Sequence, residues 1–345
     1  MIKTTTTISR LIATLAVGLC LSSCGGIQNA INPAGPNAQN LSNLWWLMFI
    51  VCSIVYVFVM IALFLSLRGR TADAAERGFV LHPPSDSERR RQITVVVSIA
   101  ITIAILFVFL LASYSSGRAL NLNDPAKAGL SIELTGHQWW WEARYNDVDP
   151  SNIFITANEI HIPVGVPVQF TLRGADVIHS FWVPNLAGKK DLIPGKVNTI
   201  WIQADKPGVY RGQCAEYCGL QHAKMALWIV ADPQEQFFAW RQNQTQQAVP
   251  PASDTQKRGQ QVFFAATCVM CHAINGTPAG SNIGPNLTHV GSRQMIAAAT
   301  LSNTREHLAL WIKDSQTFKP GNRMPQHNLS DADLQSLVEY IENLK

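Results

Sequence analysis

Two stretches of the chain are apolar on every side, Leu44 to Leu67 and Ile93 to Leu111, and neither holds a charged residue. Each is long enough to cross a hydrocarbon layer of about 30 Å as a helix, so both are predicted to be membrane spans. From about Asn121 the pattern changes to short runs, LSIELTG, QWWWEARY, NIFITANEIHIP, PVQFTLRG, VNTIWIQAD and ALWIVAD, punctuated by Gly, Pro and Asn. Strands of this length and spacing predict a sandwich or barrel. After Trp240 the stretch QNQTQQAVPPAS is polar and proline-bearing and reads as a linker. From Asp254 onward the period is helical. The final helix is the clearest, with Ser330 as cap, Asp333 three residues on, and a stripe of Leu334, Leu337, Val338, Ile341 and Leu344.

Composition agrees with membrane association, at 47% hydrophobic and 14% charged residues. The net charge of +4 is modest, and the clearest basic cluster, Arg89, Arg90 and Arg91, abuts an apolar run. That is a membrane flank and not a nucleic-acid surface. Six arginines between residues 68 and 92 predict a cytoplasmic loop, which turns everything after Leu111 outward. Residues 1 to 23 have the layout of a bacterial secretory signal: Lys3 and Arg10, an apolar run from Leu11 to Leu21, then LSSC. LSSC resembles a lipoprotein signal-peptidase site, so Cys24 is expected to become a lipidated mature N-terminus. An ordinary signal or a first membrane anchor with an incidental cysteine is the alternative. One lipid chain adds little to two spanning helices.

The chemistry concentrates in two motifs. The first is GQCAEYCGLQHAKM, residues 212 to 225. A C-x3-C pair alone is compatible with a disulfide, a zinc site, a copper site or a redox thiol pair. Cys214 and Cys218 are followed by His222 and Met225. Structural zinc seldom uses a thioether, whereas thiolate, imidazole and thioether together match copper in an electron-transfer site. Such a loop needs a ligand from elsewhere, and His179 in ADVIHSFWVPN is the natural choice. The second motif is CVMCH, residues 268 to 272. It is the covalent attachment signal for c-type haem, with Cys268 and Cys271 adding to the vinyl groups and His272 as proximal ligand. A redox pair or half a zinc site is the alternative, but no second cysteine pair follows. For the sixth ligand Met324 is preferred, because Pro325 follows it and a thioether raises the haem potential. Met295, His289, His307 and His327 are runners-up, and Met270 lies inside the attachment loop.

HSFWVPN, KKDLIPGKVN and GQCAEYCGLQHAKM, with TGHQWWWEARY upstream, resemble subunit II of the haem-copper cytochrome c oxidases over residues 40 to 240 or so. IGPNLTHVGSR, WIKDSQTFKPGNRMP and the terminal helix resemble the cytochrome c domain fused to that subunit in caa-type oxidases. The resemblance implies a multi-domain membrane protein: two transmembrane helices, a cupredoxin-like β-barrel or sandwich, then an all-α cytochrome c domain. The corresponding ranges are a signal peptide at 1–23, a tail and two-helix hairpin at 24–112, a CuA domain at 118–240, a linker at 241–253 and a cytochrome c domain at 254–345.

By the same resemblance Cys214 and Cys218 bridge the two coppers of a binuclear CuA centre. His179 and His222 each bind one copper, Met225 binds one and the Glu216 backbone carbonyl the other. The Glu216 side chain turns to a magnesium ion shared with subunit I. Trp139, on the domain surface, is where electrons arrive, and His137 and His161 are structural. SERRRQITVVVSIA lacks the Trp and Pro that often open the second span in this family, so no proton-uptake role is expected of Glu88.

The implied protein sits in a bacterial plasma membrane, outer domains on the periplasmic or extracellular side, with subunits I and III as partners. A cytochrome c or a bc-type complex reduces haem c, electrons pass to CuA and then to haem a of subunit I, and oxygen is reduced there to water with proton pumping. Quinol-oxidising relatives lack the CuA ligands. Two rivals are the electron-input subunit of a CuA-containing nitric oxide reductase and a membrane copper-delivery protein. The second leaves Met225, Trp139 and the haem motif unexplained.

Overall fold

The computed structural model describes residues 26–68, 85–121 and 129–345. The expected signal segment with Cys24, and most of the arginine-rich loop, lie outside the described residues. Helix α1 (Pro36–Arg68) and helix α2 (Ser85–Asn121) contain the two expected spans. Their apolar stretches have mean hydropathies of 2.9 and 3.1. Ile54, Phe58, Leu65, Val96, Ile103 and Leu110 all point outward. A soluble helix hides its apolar stripe against a core, so helices apolar on all sides have lipid as their solvent.

The outer region begins with two five-stranded sheets. The first has the order β3 (Phe154–Ala157), β2 (Trp140–Asn146), β1 (Leu130–His137), β5 (Val168–Gly174) and β8 (Asn198–Ile202). The second has the order β4 (Glu159–Pro163), β10 (Ala226–Asp232), β9 (Gly208–Cys214), β6 (His179–Trp182) and β7 (Lys190–Leu192). Strand β1 alternates strictly, with Leu130, Ile132 and Leu134 turned into the core, as expected of a strand with one covered face. The inner faces meet over Trp141, Tyr145, Phe170, Phe181 and Ile160, all fully buried. This is the expected cupredoxin-like sandwich.

The run NIFITANEIHIP is not one strand. It divides at Asn158, whose φ of 65° turns the chain so that β3 joins one sheet and β4 the other. Asn tolerates this left-handed conformation better than most residues, and its Oδ1 accepts the Trp141 N–H at 2.9 Å. Residues just before α1 lie along the sandwich: Ala34 N–H donates to Asn185 O at 2.7 Å and Asp205 N–H to Ala34 O at 2.8 Å. Helix α3 (Gln234–Gln244) closes one end, stacking Trp240 on His161 at a centroid distance of 4.2 Å. It runs beyond Trp240, so the first residues of the expected linker are helical.

The C-terminal region is helical as expected, apart from a two-stranded ladder of β11 (Met295–Ile296) and β12 (Leu301–Ser302). Its helices are α4 (Asp254–Ala265), α5 (Arg305–Lys313), the single turn α6 (Ser315–Phe318) and α7 (Asp331–Glu342). Ser253 caps α4 in a reciprocal capping box with Gln256, and Ser330 caps α7 through the Asp333 N–H. Helices α4 and α7 approach at Gly259, where a Cβ would stand 2.0 Å from the Ser336 carbonyl oxygen. Gly259→Ala would force two helix backbones apart, and overpacking of this kind costs roughly 1–3 kcal/mol. A lower midpoint in thermal unfolding followed by far-ultraviolet circular dichroism is the expected result.

Candidate copper and haem sites

The thiol site is built where β9 ends and β10 begins. Cys214 closes β9, its N–H donates to Met225 O at 2.9 Å, and the eleven residues from Ala215 to Met225 loop out between them. His179 opens β6, which pairs with β9 through Phe181 and Cys214. Gly136 on β1 makes room for the His179 ring, since a Cβ there would sit 2.9 Å from its Cδ2. The Nδ1 of His179 lies 3.9 Å from Cys214 Sγ, and the Glu216 carbonyl oxygen lies 3.1 Å from the same sulfur. Cys218 Sγ is 3.6 Å from His222 Nδ1 and 3.8 Å from Met225 Sδ. The ligand atoms of His179, Cys214 and Cys218 all fall within 4.8 Å of one another. All six residues named from the sequence thus converge, and the two sulfurs are unbridged.

Electrostatics in this pocket are one-sided. Hydrogen bonding from Cys218 holds Cys214 down to about 3, against the cost of burial, and His179 helps. The same bond and burial push Cys218 far up. The pair therefore keeps one negative charge between two buried sulfurs, and ionising both needs a compensating cation. The histidine is already set for one. A carboxylate only accepts, so His179 Nε2–H donates to Asp176 Oδ1 at 2.9 Å and leaves the Nδ1 lone pair facing the sulfurs.

The three consecutive tryptophans separate. Trp141 is fully buried in the sandwich core, and Trp140 stacks on His137 at 4.3 Å. Trp139 turns to the thiol loop, where its Nε1–H donates to Cys218 O at 2.9 Å beside the Gln138 side-chain amide at 2.8 Å. Gly219, with φ of +107°, leaves space for the Trp139 ring, 3.1 Å from where a Cβ would be. Trp139 is expected at the surface but is only 8% exposed, because the helical domain lies over it.

Under that domain is a cavity lined by Cys268, Cys271, His272, Met324, Met295, Trp311 and Leu337, and closed on one side by Trp139 and Trp140. His272 Nδ1–H donates to Pro285 O at 2.7 Å, which fixes the tautomer and leaves Nε2 free. Burial lowers the His272 pKa, keeping the ring neutral. The Met324 backbone is held three ways: its N–H donates to Asn322 Oδ1 at 2.8 Å, and its carbonyl accepts from Ser315 Oγ at 2.8 Å and Gln316 Nε2 at 2.9 Å. Of the alternatives to Met324, Met295 and His327 also line the cavity, whereas His289 and His307 do not. His289 Nε2 instead lies 3.2 Å from Gln246 O.

A cytochrome c oxidase subunit 2 of Alkalihalophilus pseudofirmus is 34% identical over 351 residues, covering 98% of both chains. The chain belongs to the cytochrome c oxidase subunit II family. Residues 150–232 match the family "Cytochrome C oxidase subunit II, periplasmic domain", and residues 256–345 match "Cytochrome c". The Bacillus subtilis cytochrome c oxidase subunit 2 is 30% identical over 231 residues, 64% of each chain. Among solved structures, the periplasmic domain of Bradyrhizobium japonicum oxidase subunit II is 34% identical over 34% of this chain and 94% of that one, with a TM-score of 0.33.

Membership in this family, with a cytochrome c domain, implies copper and haem c, association with subunit I and a place in the membrane. The subunit's own residues fit both groups. The thiol pocket is short of positive charge in the way a metal would remedy. The haem cavity has two unbridged thiols at its rim, a neutral imidazole with a free nitrogen, and Arg293, whose buried Nε has no partner while Nη2 donates to Asn286 O at 2.7 Å. A guanidinium on an apolar cavity wall with its Nε–H still unpaired suits a macrocycle that carries carboxylates. Sequence reading missed Asp176 and Arg293. Asp176 stands three residues before His179, a spacing that could have signalled a partner for the imidazole.

Proposed function

We propose that this subunit is the electron-input module of a respiratory cytochrome c oxidase, taking electrons from a cytochrome c or bc-type donor at haem c and passing them through CuA to haem a of subunit I. Oxygen reduction to water and proton pumping then belong to the complex, with subunit III as a further partner. One observation supports this order most: Trp139 forms part of the haem cavity wall and hydrogen-bonds, through Nε1–H, the carbonyl of Cys218 in the copper loop. In this reading Trp139 takes electrons from the subunit's own haem domain instead of from a protein docking on the sandwich.

Cys214 and Cys218 would hold both coppers, with His179, His222, Met225 and the Glu216 carbonyl completing the set. A metal pair held by these residues would supply one-electron transfer with little change of bond length. Cys268 and Cys271 would anchor haem c, and His272 and Met324 would bind its iron. The Glu216 side chain, 44% exposed and 3.8 Å from Lys189, is the proposed link to magnesium. The proposed organisation keeps a signal at 1–23, lipidation of Cys24, a tail and hairpin at 24–112, and outward-facing domains at 118–240 and 254–345 joined by 241–253.

The test is turnover by the purified complex with reduced cytochrome c. Rapid oxygen consumption, with little nitric oxide consumption, is expected. Turnover of nitric oxide in preference to oxygen would move the subunit to a nitric oxide reductase. Holoprotein lacking both haem c and a mixed-valence near-infrared copper band would point to copper delivery.

A further inference from the structure

Lys319 is a lysine where a lysine is expensive. It is 3% exposed, and a buried ammonium is tolerated only with hydrogen-bond partners. Burial lowers its pKa to about 7. Its Nζ donates to the Trp139 carbonyl at 2.8 Å and lies 3.4 Å from Ala297 O. Both the lysine and the tryptophan line the haem cavity.

The flanking residues are gripped as well. Lys224 Nζ donates to Phe318 O, and Gln221 Nε2 donates to Pro320 O at 2.6 Å. Gly321, at φ +80°, lies against Leu220, whose Cδ1 would be 2.9 Å from a Cβ. Four successive residues ahead of Met324, Phe318 to Gly321, are therefore held by the sandwich, three of them by the thiol loop itself. Lys319 alone among these reaches the tryptophan.

We propose that Lys319 is a positioning residue for electron transfer between the two cofactor sites: its ammonium, bonded to the Trp139 carbonyl, holds the indole between the haem cavity and the Cys218 carbonyl. This deepens the relay reading and rests on it. With both groups bound, one electron would cross, oxidising the haem iron and reducing the copper pair, and no bond would form or break. The role of Lys319 is purely geometric. Its buried head fixes the main chain from which the indole hangs.

The experiment uses the full-length, cofactor-loaded protein. Haem c is reduced by a flash with a ruthenium photoreductant, and its reoxidation is followed against the copper near-infrared band. Lys319→Met keeps the stem and removes the donor. The expected result is transfer slowed about tenfold or more, since displacements near 1 Å in a positioned pair carry penalties of up to about a hundredfold. Haem and copper spectra and midpoint potentials stay as in the wild type. Thr300→Val removes a different bond across the same interface, 3.4 Å from Lys224 O, and is expected to leave the rate unchanged.

A wild-type rate in Lys319→Met, or an equal slowing in Thr300→Val, would overturn the proposal. No haem-to-copper transfer in the wild type would instead remove the relay itself. Should Lys319→Met fail to load its cofactors, the wild-type holoprotein decides by mild amine acetylation read by mass spectrometry. Lys319 should resist while Lys257, with a side chain 57% exposed, is modified. Equal labelling of the two would show that the ammonium is not held at Trp139.

Discussion

Replacing Cys218 by serine is expected to abolish the binuclear copper spectrum and, with it, oxygen uptake driven by reduced cytochrome c. The buried pair holds one negative charge: Cys214 is ionised because Cys218 donates to it, and Cys218 stays protonated for the same reason. Two copper ions remove that constraint only if both sulfurs can become thiolates. A serine hydroxyl is a hard, weakly acidic oxygen, so it supplies neither the charge nor the soft ligand that copper of low valence prefers. Loss of a mere outer partner of a ligand costs about 10–100-fold in metal affinity, and loss of a bridging ligand should exceed that. Serine nearly matches cysteine in volume, and Cys218 lies in a loop rather than in the sheets, so the sandwich should still fold. The cytochrome c domain has a core of its own around Phe263, Leu337 and Tyr340, so the haem c spectrum should be unaffected. Copper analysis, the near-infrared band and an oxygen electrode check the three parts independently. Normal turnover in this variant would defeat the copper assignment.

The residues that converge at the thiol site were legible in the sequence because most of them are local and chemically unusual. Five of the six proposed copper ligands fall within twelve residues, and CVMCH has few other uses. The spans were legible because lipid leaves no face of a helix free to be polar. What the sequence hid depends on distant parts meeting. Strands β6 and β7 have four and three residues, too few for alternation to register, yet β6 delivers His179. The strand pattern could not say which of Trp139, Trp140 and Trp141 faces the copper loop, since that follows from how the chain turns at Gln138 and from the Cys218 carbonyl. Least visible was Lys319, 180 residues from the tryptophan it holds. In the sequence it is a basic residue in a polar loop, and only the covering of Trp139 by the haem domain gives it a buried partner.

Replacing Met324 by alanine is expected to leave haem c attached and take away one axial bond. The proposed attachment residues, Cys268 and Cys271, are not touched by the substitution. The loop should also stay in place, because Asn322, Ser315 and Gln316 hold its backbone without using the Met324 side chain. The consequence is a haem held by His272 on one face, with a gap where the thioether was. Its spectrum should turn high-spin, or show water as a new ligand. An unaltered low-spin methionine spectrum would transfer the role to Met295, the other methionine in the cavity wall beyond the attachment loop. A thioether favours the reduced haem, and axial ligands set haem potentials over a range of about 0.8 V, so a fall on the order of 100 mV is expected. For a one-electron carrier each 59 mV is a factor of ten in equilibrium, which makes reduction by an external cytochrome c roughly fiftyfold less favourable. Oxygen uptake with that donor should drop accordingly, while haem-to-copper transfer after photoreduction should be retained or quickened. A fall in donor-driven turnover without a fall in internal transfer would separate the potential set by Met324 from the geometry held by Lys319.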